Sequence, residues 1–267
     1  MKKITVCGGD ERFYYLCRFL ISEGYSVKWI FAERYASDEP FIEKENHSLD
    51  NAYALIFPLP LSRDGENLNT PFSDRKIKLS ALDTSEKYSV IFTGDKRIQG
   101  INYFESEAVL TDNARLTAAG FLKELLIYEK RDILGRRALV TGFGRVSQAV
   151  CDILYRNGLS VTVSARNENQ RHTAKSRGYS ALEINEAAKK LCAYDYVINT
   201  VPEKLFSREE IEKAGRNTAF FELASSLCDK TVFTPETYIE CKGMPGKHTP
   251  ESAGRVIADF VCEKLRE

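Results

Sequence analysis

The sequence predicts an α/β fold in which two parallel sheets alternate with helices. Short apolar runs of strand length recur along the chain, and helical patterns of apolar residues lie between many of them. This alternation is typical of parallel sheets, because a strand must cross over through a helix before its parallel neighbour begins. A long helical pattern separates an early group of runs from a later one, which indicates two sheets. The predicted strands are residues 4–7, 26–31, 53–57, 88–93 and 108–110, then 139–140, 161–163, 194–199 and 218–223.

The second group of strands opens with a glycine-rich turn. Residues 142–147 read Gly-Phe-Gly-Arg-Val-Ser, and an amphipathic helical pattern follows them. Gly142 permits a tight turn, and Gly144 lets the backbone approach a pyrophosphate at the positive end of the helix. Ser147 stands where a third glycine or alanine is usual. We predict a dinucleotide-binding turn, with a purely structural turn as the alternative. Its cofactor ligands would be Gly142, Gly144, Arg145 and Val146.

The residues after the next strand favour NADP(H) over NAD(H). NAD-binding folds commonly place a carboxylate there, which accepts hydrogen bonds from the ribose hydroxyls. This chain has Ser164, Ala165, Arg166 and Asn167 instead. The guanidinium of Arg166 suits a 2′-phosphate, and Ser164 and Asn167 can add hydrogen bonds. A solvated arginine is the alternative, because Glu168 follows closely.

Two later strand ends complete the predicted cofactor site. Asn199, Thr200, Val201 and Pro202 end the strand at 194–199, where they could bind a ribose or a nicotinamide amide. Simple strand termination is the alternative. Ala224 follows the next strand in a similar position and joins the cofactor-binding set.

The helical patterns define the domain organisation. A connecting helix is predicted over 113–130, with Thr111, Asp112 and Asn113 as N-cap candidates. A final helix begins at Pro250, and in two-domain enzymes of this layout such a helix often returns to the first domain. Both domains would be Rossmann-like, the second a doubly wound NADP-binding sheet, with the substrate between them. The predicted boundaries are 1–112 for an N-terminal substrate or partner domain, 113–131 for the connecting helix, 132–248 for the NADP-binding domain and 249–267 for the C-terminal helix.

The glycine- and proline-rich segment before the final helix holds candidate substrate ligands. Lys247, Thr249 and the helix opening at Ser252 could form a carboxylate site, since cations and helix N-termini bind anions. His248 could act as a base beside such a site. A connecting loop with a solvated histidine is the alternative.

Composition excludes several classes of protein. The 267 residues hold 38 Lys and Arg against 38 Asp and Glu, so charge gives no argument for nucleic acid or an acidic membrane. The longest apolar stretch, 52–61, is too short to span a bilayer, and the N-terminal run is too short for a signal peptide. The seven cysteines form no Cys-x-x-Cys pair and the three histidines are not spaced as ligands. We therefore predict a cytoplasmic enzyme with reduced thiols and no metal.

These motifs resemble the A subunits of dipicolinate synthase, the endospore-former enzyme that makes pyridine-2,6-dicarboxylate. The likeness covers nearly the whole chain, and its most distinctive parts are the Gly-Gly-Asp-Glu-Arg start at 8–12 and the run at 243–254. The other matching motifs are 90–94, Asn113 with Thr117 and Gly120, 142–145, 164–166, 198–202 and 222–225.

The resemblance implies an NADP-dependent oxidation of a dihydrodipicolinate to dipicolinate, carried out in the mother cell with a flavoprotein-like B subunit. A homodimer within such a hetero-oligomer is compatible with it, and the substrate would be a small dicarboxylate. The family's nucleotide-binding positions fall on Gly142, Gly144, Arg145, Ser164, Arg166, Thr200 and Pro202. We add Asn113, Thr117, Lys247 and His248 as catalytic candidates. The substrate-binding candidates are Ser62, Lys247, Thr249 and Ser252.

The chain departs from the family at several positions. Ser147 replaces a glycine, Ala119 replaces a glutamate, and Ser226-Leu227-Cys228 stands where an Arg-Pro-Gly-Gly-like stretch is usual. Two alternatives follow. One is another two-domain NADP dehydrogenase, of the shikimate or 2-hydroxyacid dehydrogenase kind. The other is a non-catalytic subunit that binds NADP(H) as a scaffold for a flavoprotein.

Overall fold

A computed structural model describes residues 1–45, 49, 52–82, 88–215, 217–224, 233–234 and 236–267. The chain divides into two compact units: the first combines Met1–Asn113 with Thr249–Glu267, and the second is Ala114–His248. Each unit contains one parallel sheet, so the predicted α/β fold with two parallel sheets is confirmed. No helix within these described ranges is long and apolar enough to cross a membrane.

The secondary structure is numbered in chain order. The strands are β1 (Lys3–Cys7), β2 (Ser26–Ile30), β3 (Ala54–Ile56), β4 (Val90–Thr93), β5 (Ile101–Asn102), β6 (Arg137–Thr141), β7 (Ser160–Ser164), β8 (Ser180–Leu182), β9 (Tyr196–Asn199), β10 (Ala219–Glu222) and β11 (Tyr238–Glu240). The helices are α1 (Glu11–Ser22), α2 (Glu107–Tyr128), α3 (Arg145–Arg156), α4 (Glu168–Ser176), α5 (Ile184–Ala188), α6 (Arg208–Ala214), α7 (Met244–His248) and α8 (Pro250–Arg266). Short 3₁₀ turns lie at Leu79–Ala81, Tyr103–Glu105 and Leu191–Ala193.

The first unit is a five-stranded sheet with the order β2-β1-β3-β4-β5. Helix α1 begins where the Asp10 side chain accepts a hydrogen bond from the Arg12 N–H, which satisfies one of the unpaired donors of the first turn. Its apolar face, which includes Phe13 and Leu16, packs in one core cluster with Phe260 and Val261 of α8. The C-terminal helix therefore returns to the first unit, as the sequence predicted.

The prediction of a strand at 108–110 is wrong, because these residues form the first turn of α2. The strand at this edge is β5, and the Asn102 side chain then caps a 3₁₀ turn by accepting a hydrogen bond from the Phe104 N–H at 2.9 Å. The predicted N-cap residues 111–113 consequently lie inside the helix. An apolar run of three residues has no distinguishable period, so only the flanking residues could have decided between strand and helix.

The second unit is a six-stranded sheet with the order β11-β10-β9-β6-β7-β8, and every neighbouring pair is parallel. The two edge strands, β8 and β11, have no counterpart among the predicted strands. Each is only three residues long and half-exposed, so neither has an apolar run. Within the glycine- and proline-rich segment before the final helix, residues 244–248 form the short helix α7. The central strands are buried on both faces, as expected for a parallel sheet covered by helices.

A buried carboxylate ties the end of α2 to β9 and makes the second unit sensitive to acid. Glu129 accepts hydrogen bonds from the Arg131 guanidinium at 3.0 Å and from the Tyr196 hydroxyl at 2.7 Å. The bond from Arg131, helped by Tyr196, outweighs burial and lowers the pKa of Glu129 to about 2. Because the pKa of Glu129 in the folded protein lies below its ordinary value of 4.5, the ionised carboxylate stabilises the fold above pH 4.5. This stabilisation is lost as the pH falls toward 2.

We expect Tyr196→Phe to lower the free energy of unfolding by about 1–2 kcal/mol at pH 7, because it removes a hydrogen bond to a buried charge. The difference from the unchanged protein should shrink between pH 4.5 and pH 2.5, where Glu129 of the variant protonates first. Urea unfolding at a series of pH values would measure both effects. Tyr155→Phe is the matched control, because the Tyr155 side chain is 52% exposed. A loss that does not vary with pH would contradict the assigned partner.

Candidate nucleotide-binding site

The turn after β6 has a backbone that requires glycine at its first position. Gly142 has φ +77°, a conformation that other residues rarely adopt, and its N–H donates to the Ser164 carbonyl at 2.7 Å. A Cβ at this position would also lie only 2.8 Å from Cγ2 of Val201. The end of β6 is therefore held tightly between the ends of β7 and β9.

The second glycine of the turn faces open space. A Cβ on Gly144 would meet no atom within 4 Å, and its φ of −81° is one that any residue can adopt. Gly144 precedes the twelve-residue helix α3, whose first-turn N–H groups have no partners within the helix. The space beside Gly144 thus combines room, backbone donors and a positive helix end, which together fit a pyrophosphate.

Ser147 is compatible with this turn despite replacing a glycine. Its side chain is buried, with 1% exposed, and its hydroxyl donates to the Gly144 carbonyl at 3.0 Å. The hydroxyl therefore stabilises the turn from within the helix and leaves the open space unobstructed. Val146 is half-buried and packs against the core of the second unit.

The end of β7 presents one unsatisfied polar atom and one exposed cation. Oγ of Ser164 is buried and has no hydrogen-bond partner among the described residues. Ala165 is buried, and the Arg166 side chain is 69% exposed and forms an ion pair with Glu203 at 3.1 Å. An unpartnered buried hydroxyl beside a glycine turn is an observation that a ribose hydroxyl or phosphate would explain.

Asn167 and Arg171 fix the backbone around Arg166. The Asn167 side chain caps α4 by accepting hydrogen bonds from the N–H groups of the two residues at 169 and 170. The Arg171 guanidinium donates to the carbonyls of Ala165 and Arg166, at 2.8 and 2.7 Å. Asn167, predicted as a cofactor ligand, is thus used as a helix cap, and Arg171 is a supporting residue that the sequence analysis did not identify.

Polar side chains join the ends of β6, β9 and β10. Oδ1 of Asn199 accepts from the Thr141 hydroxyl at 2.7 Å and from the Val201 N–H at 3.1 Å. Its amide nitrogen donates to the Glu222 carboxylate at 2.9 and 3.1 Å and to the Val201 carbonyl at 3.0 Å. The amide of Asn199 is therefore occupied by protein groups. Its observed role is to connect three strands.

Glu222 is the buried acid of this network, with 1% of its surface exposed. It also accepts a hydrogen bond from the Ala224 N–H at 3.1 Å, which explains the position of Ala224. Thr200 completes the network, since its hydroxyl donates to the Thr141 carbonyl at 2.6 Å. Neither Thr141 nor Glu222 was among the predicted site residues. The available signal was a polar residue that ends each apolar strand.

The catalytic and substrate candidates fall in both units. Thr117, Lys247 and His248 belong to the second unit, whereas Ser62, Asn113, Thr249 and Ser252 belong to the first. Ser62 is engaged in its own loop, where its hydroxyl donates to Asp64 at 3.0 Å and accepts from the Gly65 N–H at 2.9 Å. Ser252 lies on an exposed face at the start of α8. The positions at 225–228, which include Ser226-Leu227-Cys228, lie outside the described residues.

Lys247 and His248 share one carboxylate on α2. Oε1 of Glu124 is hydrogen-bonded to the Lys247 amine and lies 2.5 Å from Nε2 of His248. Burial would raise the pKa of Glu124, but the hydrogen bonds from Lys247 and His248 outweigh it and lower that pKa. The Lys123 amine also donates to the His248 carbonyl at 2.7 Å. His248 is thus fixed in orientation by Glu124, while the Lys247 side chain is still 56% exposed.

The first unit also has a glycine turn after its first strand, but its own chain fills it. The Gly9 N–H donates to the Asn69 carbonyl at 2.8 Å, and a Cβ on Gly8 would lie 2.7 Å from the same oxygen. Asn69 is buried, and the Arg12 side chain is held by Asp10 at 2.8 Å. Of the two glycine turns, only the one at 142–144 has space for a phosphate.

Within the described part of the chain, no group of three or more His, Cys, Asp or Glu side chains could hold a metal ion. The six described cysteines are free thiols, and five of them are buried.

Comparisons with known proteins relate part of the chain to one family and the whole chain to solved structures of the same fold. Residues 3–110 match the family described as the N-terminal domain of the dipicolinate synthase A subunit. No curated protein sequence matches the chain. Among solved structures, the dipicolinate synthase A subunit from Bacillus halodurans is 22% identical with a TM-score of 0.85, covering 100% of this chain and 98% of that one. The A chain of dipicolinate synthase from Bacillus subtilis is 21% identical with a TM-score of 0.81, covering 99% and 96%.

The fold is also shared more widely. A transhydrogenase from Sinorhizobium meliloti is 13% identical with a TM-score of 0.66, covering 99% of this chain and 92% of that one. The resemblance stated from the sequence is confirmed: residues 3–110 match the family of N-terminal domains of dipicolinate synthase A subunits, and the whole chain has the fold of the solved A subunits.

Proposed function

We propose that this chain is the nucleotide-binding subunit of a dipicolinate synthase, which oxidises dihydrodipicolinate to dipicolinate with NADP⁺ and works with a flavoprotein-like B subunit. The observation that carries the proposal is the open turn at Gly144, next to the unpartnered hydroxyl of Ser164 and the exposed guanidinium of Arg166. The family match over residues 3–110 supports this reaction over others that occur on the same fold.

The residues present fit NADP(H). The turn at Gly142 and Gly144 and the start of α3 would hold the pyrophosphate, assisted by Arg145 and Val146. Arg166 would pair with the 2′-phosphate, and the Ser164 hydroxyl would bond to the adenosine ribose. The ends of β9 and β10, at Thr200 through Pro202 and at Ala224, would face the rest of the nucleotide.

When bound, the nicotinamide would serve as the acceptor of a hydride from a carbon of the substrate ring. The chain's own residues must then hold the dicarboxylate and receive one proton as the ring becomes aromatic. Because aromatisation is strongly favourable, positioning supplies most of the required rate and a modest base is sufficient. We assign carboxylate binding to Lys247, Thr249, Ser252 and Ser62. Asn113, Thr117 and His248 are the candidates for proton transfer, and Glu124 orients the ring of His248.

The division of roles follows the two units. We assign nucleotide binding to Ala114–His248, which also contains the candidates Thr117, Lys247 and His248, and recognition of the substrate or of the B subunit to the other unit. The filled turn at Gly8 and Gly9 supports this assignment, because it leaves no room for a second nucleotide.

The proposal is tested by measuring dipicolinate formation from dihydrodipicolinate made in situ. Ultraviolet absorbance would report the product, and NADPH fluorescence would report the reduced cofactor. The chain would be assayed alone and with its candidate B subunit, with NADP⁺ and NAD⁺ in parallel. We expect product only when both subunits are present, with NADP⁺ preferred and the preference reduced in Arg166→Ala.

Two outcomes would replace the proposal. Oxidation of a shikimate-like or 2-hydroxyacid substrate by the chain alone would identify a different two-domain dehydrogenase. Nucleotide binding without product in any mixture would identify a non-catalytic scaffold subunit.

A further inference from the structure

We propose that Glu203 sets the preference between NADP(H) and NAD(H) by competing with the 2′-phosphate for Arg166. This inference rests on the proposed nucleotide-binding function of the second unit. It assigns a specificity-determining role to a residue that the sequence analysis did not identify.

The ion pair connects two loops at the carboxyl end of the second sheet. In the sheet, β6 lies between β9 and β7, and the turn at 142–144 follows β6. Arg166 follows the end of β7, and Glu203 follows the end of β9. Their side chains meet at 3.1 Å, so the pair joins the two loops that flank the turn. A nucleotide on this turn would have its adenosine ribose beside the pair, since the residue after the second strand of such a fold recognises that ribose.

The pair contributes little to stability and can therefore open. The side chains of Arg166 and Glu203 are 69% and 51% exposed, and an ion pair in water is worth about 0–1 kcal/mol. The backbone at Arg166 is nevertheless fixed, because Arg171 donates two hydrogen bonds to the carbonyls at 165 and 166. The backbone that carries the guanidinium is thus fixed, while the current partner of the guanidinium is exchangeable.

The charge of Glu203 opposes one cofactor and favours the other. A phosphate monoester carries about 1.5 to 2 negative charges at neutral pH, so a 2′-phosphate on Arg166 would be repelled by the nearby carboxylate. The 2′-hydroxyl of NAD(H) is a donor, from which the same carboxylate can accept a hydrogen bond. Glu203 therefore lowers the preference that Arg166 alone would give to NADP(H).

The other acidic side chains near this loop are engaged elsewhere. Glu168 lies 3.5 Å from His172 on α4, and Glu183 pairs with Arg171 at 3.0 Å. In the described part of the second unit, Glu203 is the carboxylate that contacts Arg166. Removing the charge of Glu203 should therefore change only how the 2′-hydroxyl or 2′-phosphate of the nucleotide is bound.

The experiment is a titration of the full chain with NADPH and with NADH, followed by nicotinamide fluorescence at low and high ionic strength. The variants are Glu203→Gln, Arg166→Gln and the double variant, with Glu168→Gln as a matched exposed control. We expect Glu203→Gln to tighten NADPH binding about twofold to fivefold at low salt, which is the size of one exposed charge interaction, and to leave NADH binding equal or weaker. Added salt should reduce the gain.

The Arg166→Gln variant shows whether Glu203 acts by competing for Arg166 or through its charge in general. In Arg166→Gln, the additional Glu203→Gln change should alter the ratio of NADPH to NADH affinity clearly less than it does beside Arg166. The contested guanidinium is then gone, and only the direct effects of the carboxylate on the 2′-position are left. An unaltered ratio in Glu203→Gln, with NADPH still bound by the unchanged chain, would overturn the role of Glu203 alone. Failure of the unchanged chain to bind either nucleotide would overturn the proposed function together with this inference.

Discussion

Replacing Gly144 with valine is expected to weaken NADP(H) binding at least about 100-fold, which is about 2.7 kcal/mol, without destabilising the fold. A side chain at this position enters open space, and the backbone there has a φ of −81° that valine can adopt. The same space is the one that a pyrophosphate would occupy at the start of α3. The substitution therefore removes the ligand's room while it removes no contact within the protein.

Two measurements together test this expectation. Titration with NADPH would show the loss of affinity, and urea unfolding should differ from the unchanged protein by no more than about 0.5 kcal/mol. Ser160→Val is the control, since it adds valine at an exposed position at the amino end of β7. Normal NADPH affinity in Gly144→Val would place the pyrophosphate away from this turn. A loss of affinity accompanied by unfolding would refute the claim that a side chain at position 144 enters open space.

The glycine turn was predictable because its requirements are local. A residue with positive φ, a small residue beside it and a helix start are all encoded within six consecutive positions. Gly142 has the expected conformation, and Gly144 has the expected space. The same holds for the helical stripes of α1 and α8, whose 3.6-residue spacing indicated buried faces before any partner was known.

The sequence did not reveal which polar groups are satisfied within the protein. Asn199 looked like a cofactor ligand because it ends a strand, yet its amide is bonded to residues at 141, 201 and 222, which come from separate strands or a following loop. These partners are brought together by the order of strands in the sheet, which no local pattern contains. Lys247 and His248 were similarly predicted without Glu124, which lies far away in the sequence on α2.

Strands with little apolar surface could also not be predicted from the sequence pattern. β8 and β11 pair at the edges of the second sheet, where a strand needs only one partner and few buried side chains. The run at 108–110 had the opposite property, since its apolar residues suggested a strand and are used by a helix. In both cases the tertiary neighbours decide the outcome, as the context dependence of strand propensity implies.

Gly254→Val is expected to cost about 3 kcal/mol or more in the free energy of unfolding, at the upper end of overpacking effects. A Cβ at Gly254 would lie 2.4 Å from the Arg12 carbonyl and 2.9 Å from the Leu16 N–H nitrogen, so the clash is with the backbone of α1. Backbone atoms of a helix cannot rotate away, and α8 would have to move as a whole. That movement would open the core between α1 and α8, in which Phe260 and Val261 are buried.

Gly254→Ala separates this steric effect from helix propensity. In an exposed helix the change would stabilise by about 1 kcal/mol, because alanine is the better helix former. At Gly254 we expect a net loss of about 1–3 kcal/mol instead, since even one methyl group meets the backbone of α1. Ser252→Ala, at an exposed position on the same helix, should stay within about 0.5 kcal/mol of the unchanged protein. Thermal or urea unfolding of the three variants would compare them directly. A stabilised Gly254→Ala variant would mean that α1 and α8 are not in close contact here. The close approach at Gly254 would then not be what fits the C-terminal helix against the first unit.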